Sequence, residues 1–305
     1  PDRVVDVPLR IMNVNPHPVT LRKSCPVAEL HPAEMIEIVV TSPDPAVTNE
    51  TCLSPALEQI IDQIDPSVPE SSVGDLRSLL GEFSQAFSSG TSGLGWTDFV
   101  THSIDTGEAR PFRQPLRRHP TSYRDAIDGQ LSDMLEQGVI EPSRSPWASN
   151  LVLVRKKDGT VRCCVDYRQL NSVTQRDAYP LPRTDTCLEA MAGAKWFSTI
   201  DLRSSYHQVA LEPDDRDKTS FICHRGQFRF RTMPFGLVNA GATFQRLMDL
   251  LLAGLNLEIC LVYLDDIVVY SSTVEEHLTR LRAVLERIVS CGLKLKASKC
   301  ELLRK

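Results

Sequence analysis

Residues 263–270 read YLDDIVVY, within the run EICLVYLDDIVVYSS at 258–272, which is otherwise almost wholly apolar. Apolar segments of strand length flank Asp265 and Asp266, so the stretch predicts a β-hairpin with two acids at its centre. Taking a carboxylate out of water costs several kcal/mol, and two side by side also repel each other. Aspartate tolerates turn geometry, yet two-residue hairpin turns favour Asn-Gly or Asp-Gly over Asp-Asp. Either the pair caps an exposed turn, or a rigid acidic tip is built to face a cation.

A two-ion site needs a further acid, and Asp201 is the candidate. It closes another apolar strand in WFSTIDLRSSYHQV at 196–209. Two carboxylate centres carried on strands suit two-metal phosphoryl transfer, in which one ion activates the attacking oxygen and the other stabilises the leaving one. The spacing alone leaves the metal site and the plain turn both open.

Composition sets the bounds. The 305 residues are 42% hydrophobic and 24% charged, ordinary for a globular chain. No run approaches the roughly 18 apolar residues of a membrane span, and the opening PDRVVDVPLRIMNV lacks the layout of a secretory signal. Nine scattered cysteines, never spaced C-x-x-C, argue against a disulfide framework or a structural zinc site and for a reduced, intracellular setting. The net charge of −5 is unevenly spread. Residues 26–108 hold 14 acids and one base (Arg77), whereas 109–305 hold 29 bases and 23 acids. An acidic leader thus precedes a body with a net charge of +6 that could meet phosphates.

Short β-like runs broken by prolines occupy 1–40, and 41–56 has a linker's composition. ALEQIIDQI and VGDLRSLLGEFSQAF carry apolar residues at helical spacing. Further on, a helix is expected from Asp125 to Gly138, and a hairpin turning at Asp158-Gly159. A second helix is expected over 184–191, and WFSTIDL reads as a strand. The clearest helix follows the acidic hairpin. Its apolar face is Leu278, Leu281, Val284, Leu285, Ile288 and Val289, with a Thr273-x-x-Glu276 capping box and Gly292 as its stop.

Four blocks in order make the sequence recognisable: VIEPSRSPWASNLVLVRKKDGTVRCCVDYRQLN, YPLPRTDTCLEAMAGAKWFSTIDLRSSYHQV, KTSFICHRGQFRFRTMPFGLVNAGATFQRLM and YLDDIVVYS. Over about residues 96–305 the chain resembles the reverse transcriptases of gypsy-type long-terminal-repeat retrotransposons. The resemblance implies an α+β, right-hand polymerase fold with fingers and palm. The palm would be a ferredoxin-like antiparallel sheet with helices on one face. Fingers would fall at about 110–178 and 212–232, palm at about 179–211 and 233–305. Residues 1–40 resemble the protease–polymerase junction, and 41–95 an acidic linker with short helices. The chain ends at LKASKCELLRK, before the family's primer-gripping box, so the thumb is expected to be absent and duplex affinity to suffer.

The implied activity is RNA-directed DNA synthesis, transferring a nucleotide from a dNTP to a primer 3′-hydroxyl. Asp201, Asp265 and Asp266 would be catalytic and hold two Mg²⁺, with Mn²⁺ able to substitute. Tyr206 matches the aromatic beneath the sugar that excludes a 2′-hydroxyl. Lys156 or Lys157, with Arg162, matches the basic grip on the triphosphate. Phe235 and Gly236 match the nucleotide pocket, while Tyr263 and Gln245 would face template or primer. Phe244 and Leu247 read as core. Three positions depart from the family's pattern: Ser205 for Gly, Gly241 for Pro, and Val161 for an aromatic.

The implied partners are a primed RNA or DNA template and the rest of a pol polyprotein (thumb, RNase H, protease, integrase), with no membrane. The setting would be cytoplasmic, in retroelement particles. Two other classes stand beside this one: a truncated, non-catalytic nucleic-acid-binding remnant, and a metal nuclease, against which the Lys/Arg hairpin and the Tyr206 block argue. The Asp105-Thr106-Gly107 tripeptide matches that of aspartic proteases, but its polar flanks make it structural here.

Overall fold

The computed structural model describes residues 53–87, 93–155 and 159–305. The β-like runs of 1–40, the 41–52 part of the linker, and Lys156, Lys157 and Asp158 lie outside the described residues.

The described chain begins with helices α1 (Pro55–Asp62) and α2 (Glu70–Glu82), strand β1 (Thr97–His102) and helix α3 (Arg124–Glu136). Strands β2 (Ile140–Pro142), β3 (Ser149–Arg155) and β4 (Val161–Val165) follow, then short helices α4 (Arg168–Val173) and α5 (Thr184–Ala190). Next come β5 (Trp196–Asp201), β6 (Val209–Leu211), β7 (Phe221–Cys223) and β8 (Gly226–Phe230). The chain closes with α6 (Ala240–Leu251), β9 (Cys260–Tyr263), β10 (Asp266–Ser271), α7 (Val274–Ser290) and β11 (Glu301–Arg304).

One sheet has the spatial order β11-β5-β10-β9, and every pairing in it is antiparallel. Its chain order is β5-α6-β9-β10-α7-β11, so the fourth strand lies beside the first and the third lies between the first and second. That is the ferredoxin-like arrangement expected of the palm. Side chains alternate between faces with period two. Ser198, Ile200, Ile267 and Val269 are buried, and the pairs Ile267↔Ile200 and Val269↔Ser198 share one face. Helix α7 covers this face. His277 meets Ser198 Oγ at 2.6 Å through Nε2 and Ser271 Oγ at 3.0 Å through Nδ1. The other face carries Thr199 and Val268 and, at the strand ends, Asp201 directly opposite Asp266.

Helix α7 forms for the reasons its sequence gives. Leu281, Val284, Leu285 and Ile288 are buried along one stripe. Thr273 Oγ1 accepts the Glu276 N–H at 3.2 Å, and the Glu276 carboxylate accepts the Ser272 N–H at 3.0 Å, one residue ahead of the usual capping-box partner. Gly292, at φ +71°, ends it, and a Cβ there would fall 2.7 Å from the Trp96 carbonyl oxygen.

A second sheet runs β2-β8-β7-β3-β4, mixed because β3 and β7 are parallel. It includes the β3–β4 hairpin that carries Arg162. Strands β1 and β6 form a separate parallel pair.

Residues 53–87 correct the linker expectation. Leu57, Ile60, Leu76 and Leu80 are buried, and the Asp65 N–H donates to the Leu303 carbonyl on β11. Arg282 of α7 pairs with Glu82 of α2 at 2.7 Å. The acidic residues sit on the outer faces of helices whose apolar stripes are docked, so this segment is built onto the palm sheet rather than bridging a gap. The Asp105-Thr106-Gly107 tripeptide forms a local turn: Asp105 Oδ1 accepts the Gly107 N–H at 2.8 Å and the Asp105 carbonyl accepts the Gln175 N–H.

Candidate active site

Strands β9 and β10 meet at a two-residue turn, Leu264-Asp265, and Leu264 adopts φ +56°. A non-glycine residue held there is strained by roughly 1–2 kcal/mol. The turn lifts Asp265 and Asp266 to the edge of the sheet's open face, and the β5–β10 register brings Asp201 to the same edge. The three predicted acids, far apart in sequence, are thus brought together. Two neighbours were not foreseen. Lys299, just before β11, pairs with Asp201 Oδ2 at 2.7 Å, and Ser205 donates its hydroxyl to Asp265 Oδ2 at 3.3 Å. Ser205 is one of the departures from the family's pattern, so its presence was legible although its contact was not. Nothing in the sequence ties Lys299 to an acid 98 residues earlier.

Burial first, then the charges of Asp265 and Asp201, push the Asp266 carboxyl above the ordinary carboxylate range, while Lys299 acts against that rise. Acids that destabilise one another's ionised forms make a place for positive charge. Their hard oxygen donors fit Mg²⁺, which usually takes one or two carboxylates and completes its shell with water and substrate phosphates. Among the described residues, no three His, Cys, Asp or Glu side chains form a group that could hold a metal ion.

A cleft of about 1070 Å³ opens beside the acids, lined among others by Arg162, Asp201, Ser205, Phe235, Asp265 and Lys299. Arg162 comes from the β3–β4 hairpin and lies over the Phe235 ring, 4.3 Å from its centroid, a cation–π contact that fixes its position. The Tyr206 ring packs 4.9 Å from Phe235, which lines the cleft, and 5.3 Å from Phe244, and is half-buried between them. Burial, and after it the charge of Asp265, raises its phenol above the usual tyrosine value. His207 lines the same cleft but is held at about 4, mainly by burial, and is neutral there. Gly236 adopts φ +94°, open to glycine at little cost, and its carbonyl accepts from Asn171 Nδ2 at 2.8 Å.

The remaining expectations divide. Tyr263 is 46% exposed and lies opposite Asp266 on the open face. Gln245, expected to face the template, is instead fully buried behind the acidic turn. Its polarity on an otherwise apolar helix face reads as exposure in the sequence, whereas its partners are internal. Phe244 and Leu247 are core, as expected. Among the described residues, no helix is long and apolar enough to cross a membrane.

Residues 154–305 match the family model described as "Reverse transcriptase (RNA-dependent DNA polymerase)". The chain belongs to the reverse transcriptase family. It is 35% identical over 240 residues to the retrovirus-related Pol polyprotein from transposon opus of Drosophila melanogaster, covering 77% of this chain and 24% of that protein. To the Pol polyprotein from transposon gypsy of the same organism it is 33% identical over 243 residues, covering 77% and 23%. The chain thus spans about a quarter of these polyproteins.

Among solved structures, it is similar to the foamy viral protease–reverse transcriptase in complex with an RNA/DNA hybrid. The TM-score is 0.75 at 25% identity, covering 82% of this chain and 33% of that one. The complex of the same viral protein with double-stranded DNA gives 0.70 at 26%, covering 82% and 44%. The right-hand polymerase fold of this reverse transcriptase domain follows from these matches together with the palm topology.

Proposed function

We propose that this chain is the fingers-and-palm part of an RNA-directed DNA polymerase that adds deoxynucleotides to a primer paired with an RNA or DNA template. The observation that carries the reading is the convergence on one cleft of Asp201, Asp265, Arg162 and Phe235, with Asp266 and Tyr206 alongside. The cleft is walled by the palm sheet on one side and the β3–β4 hairpin on the other, which supports a division into palm at about 179–211 and 233–305 and fingers at about 110–178 and 212–232.

In this reading, Asp201, Asp265 and Asp266 would hold two Mg²⁺, with water and substrate oxygens completing the ligand sets. When bound, the ions supply charge neutralisation and a polarised oxygen. Arg162 binds the triphosphate of the incoming nucleotide, its planar guanidinium suited to paired phosphate oxygens. Tyr206, braced by Phe235 and Phe244, lies under the sugar and leaves no room for a 2′-hydroxyl. Gly236 allows the nucleotide to approach the backbone, and the exposed Tyr263 ring is available to the primer end. The primer 3′-oxygen attacks the α-phosphate as its proton passes to solvent, the bond to the bridging oxygen breaks and pyrophosphate leaves, and the protein's contribution is positioning. The hybrid and duplex complexes of the foamy viral protein support a primed template as the partner. Membership of a larger pol polyprotein, with its thumb, RNase H, protease and integrase, and a cytoplasmic particle as its setting complete the proposal.

The test is Asp201→Asn in a primer-extension assay. Incorporation is expected to fall about a hundredfold to a thousandfold, the scale of losing a group that stabilises charge in the transition state. A variant that still extends primers at a comparable rate refutes the assignment.

A further inference from the structure

A fully buried polar side chain behind the acidic turn is one the polymerase reading leaves without a role. Gln245 lies in the middle of α6 with 0% exposure, and both ends of its amide have partners. Its Oε1 accepts the backbone N–H of Leu264 at 2.9 Å, and its Nε2 donates to Asp249 Oδ1 at 3.1 Å. Asp249 also accepts from Asn256 Nδ2 at 3.2 Å and from the Tyr179 hydroxyl at 2.8 Å. Arg246 stacks over the Tyr179 ring at 4.5 Å and pairs with Asp177 at 2.8 Å, anchoring the outer end of the chain of contacts.

The chemistry of the partners fixes the direction of the amide. A carboxylate only accepts hydrogen bonds, so the NH₂ end of Gln245 must face Asp249. The carbonyl end is then the one that faces Leu264 and accepts the N–H of this half-buried turn residue. Leu264 is the residue of the turn at φ +56°. A strained conformation persists only where its surroundings over-determine it, and this hydrogen bond is the contact that holds it from behind.

We propose that Gln245 is a positioning residue for the acidic turn: its carbonyl, oriented by Asp249 and Tyr179, holds Leu264 in the left-handed conformation that presents Asp265 and Asp266 to the cleft. Its consequence for catalysis rests on the polymerase reading; the positioning itself does not. Gln245 touches neither substrate nor reacting atoms and acts through the backbone of the residue before Asp265.

Hydrogen exchange of the whole chain tests this without any need for turnover. Replacing Gln245 by Met keeps the volume and removes the acceptor. The Leu264 amide is then expected to exchange about tenfold faster, the effect of one lost hydrogen bond of about 1.4 kcal/mol, while amides of β5 stay as they are. The paired swap Gln245→Glu with Asp249→Asn restores an acceptor for Leu264 and a donor toward position 245. It is expected to bring exchange back near the original rate, a rescue that a volume-filling role would not show. An unchanged Leu264 amide in Gln245→Met, or a swap that fails to rescue it, overturns the proposal. Should Gln245→Met not fold, Asp249→Ala at the half-buried rim removes the orienting carboxylate and is expected to move the same amide in the same direction. No change there overturns the proposal equally. If Asp201→Asn left primer extension intact, the polymerase reading would fall while this one stood.

Discussion

At the scale of single residues, the site holds opposing charges in a small space. Asp201 is partnered by Lys299 at 2.7 Å, and Asp266 is made harder to ionise first by burial and then by the charges of Asp265 and Asp201. The ammonium of Lys299 occupies an oxygen of Asp201, so a cation taken up by that carboxylate would compete with it. The pair is partly exposed, with the lysine side chain 56% accessible, and such pairs are worth on the order of 1 kcal/mol. Replacing Lys299 by Gln is therefore expected to tighten Mn²⁺ binding about fivefold, read by electron paramagnetic resonance titration of the chain without nucleic acid. Unchanged or weaker binding would mean that the ion pair does not oppose the metal. The acids themselves were legible because charge interrupts an apolar strand at 201 and again at 265–266. Lys299 was not, because an exposed lysine in LKASKCE looks like any solvated lysine.

At the scale of elements, the helices expected near 125–138, 184–191 and 274–290 and the strand WFSTIDL form among the described residues, and the surprises concern what the pieces pack against. The α7 stripe, its Thr273 cap and its glycine stop were all readable from periodicity and capping rules. The α1–α2 pair is legible as helices, while its docking is not, because acidic composition suggests a linker and the Leu57, Ile60, Leu76 and Leu80 stripes that dock it look like those of any amphipathic helix. Helix α6 shows the converse: a glutamine inside its apolar face reads as a surface residue until the turn it supports is in place. The same helix carries Gly241 in its first turn, where the family's pattern has proline. A Cβ there would meet Leu264 Cδ2 at 3.5 Å, an ordinary contact. Gly241→Ala is thus expected to stabilise the chain by about 0.5–1 kcal/mol, raising the melting temperature by a few degrees. A calorimetric scan showing a lower melting temperature would mean that the start of the helix needs glycine's freedom.

At the scale of the whole molecule, the two sheets, the β1–β6 pair and their helices bury three histidines in neutral form. His102, His207 and His277 are each held at about 4, burial being the first cause in every case. In the unfolded chain they titrate near 6.5. Between these values the unfolded state binds more protons, so stability is fully present above about 6.5 and is lost as pH falls toward 4. Denaturant midpoints taken from pH 7.5 to 5 should fall, with a loss on the order of 1–2 kcal/mol per histidine by pH 5. A flat profile would show that the three rings are not carried neutral inside the fold. None of this touches the central claim, which concerns the cleft between the palm sheet and the β3–β4 hairpin. Primer extension on an RNA template, with Mg²⁺ and with Mn²⁺, comparing this chain with its Asp265→Asn variant, tests that claim most directly. Incorporation by the unaltered chain that disappears in the variant is the predicted result, and equal incorporation by both would contradict it.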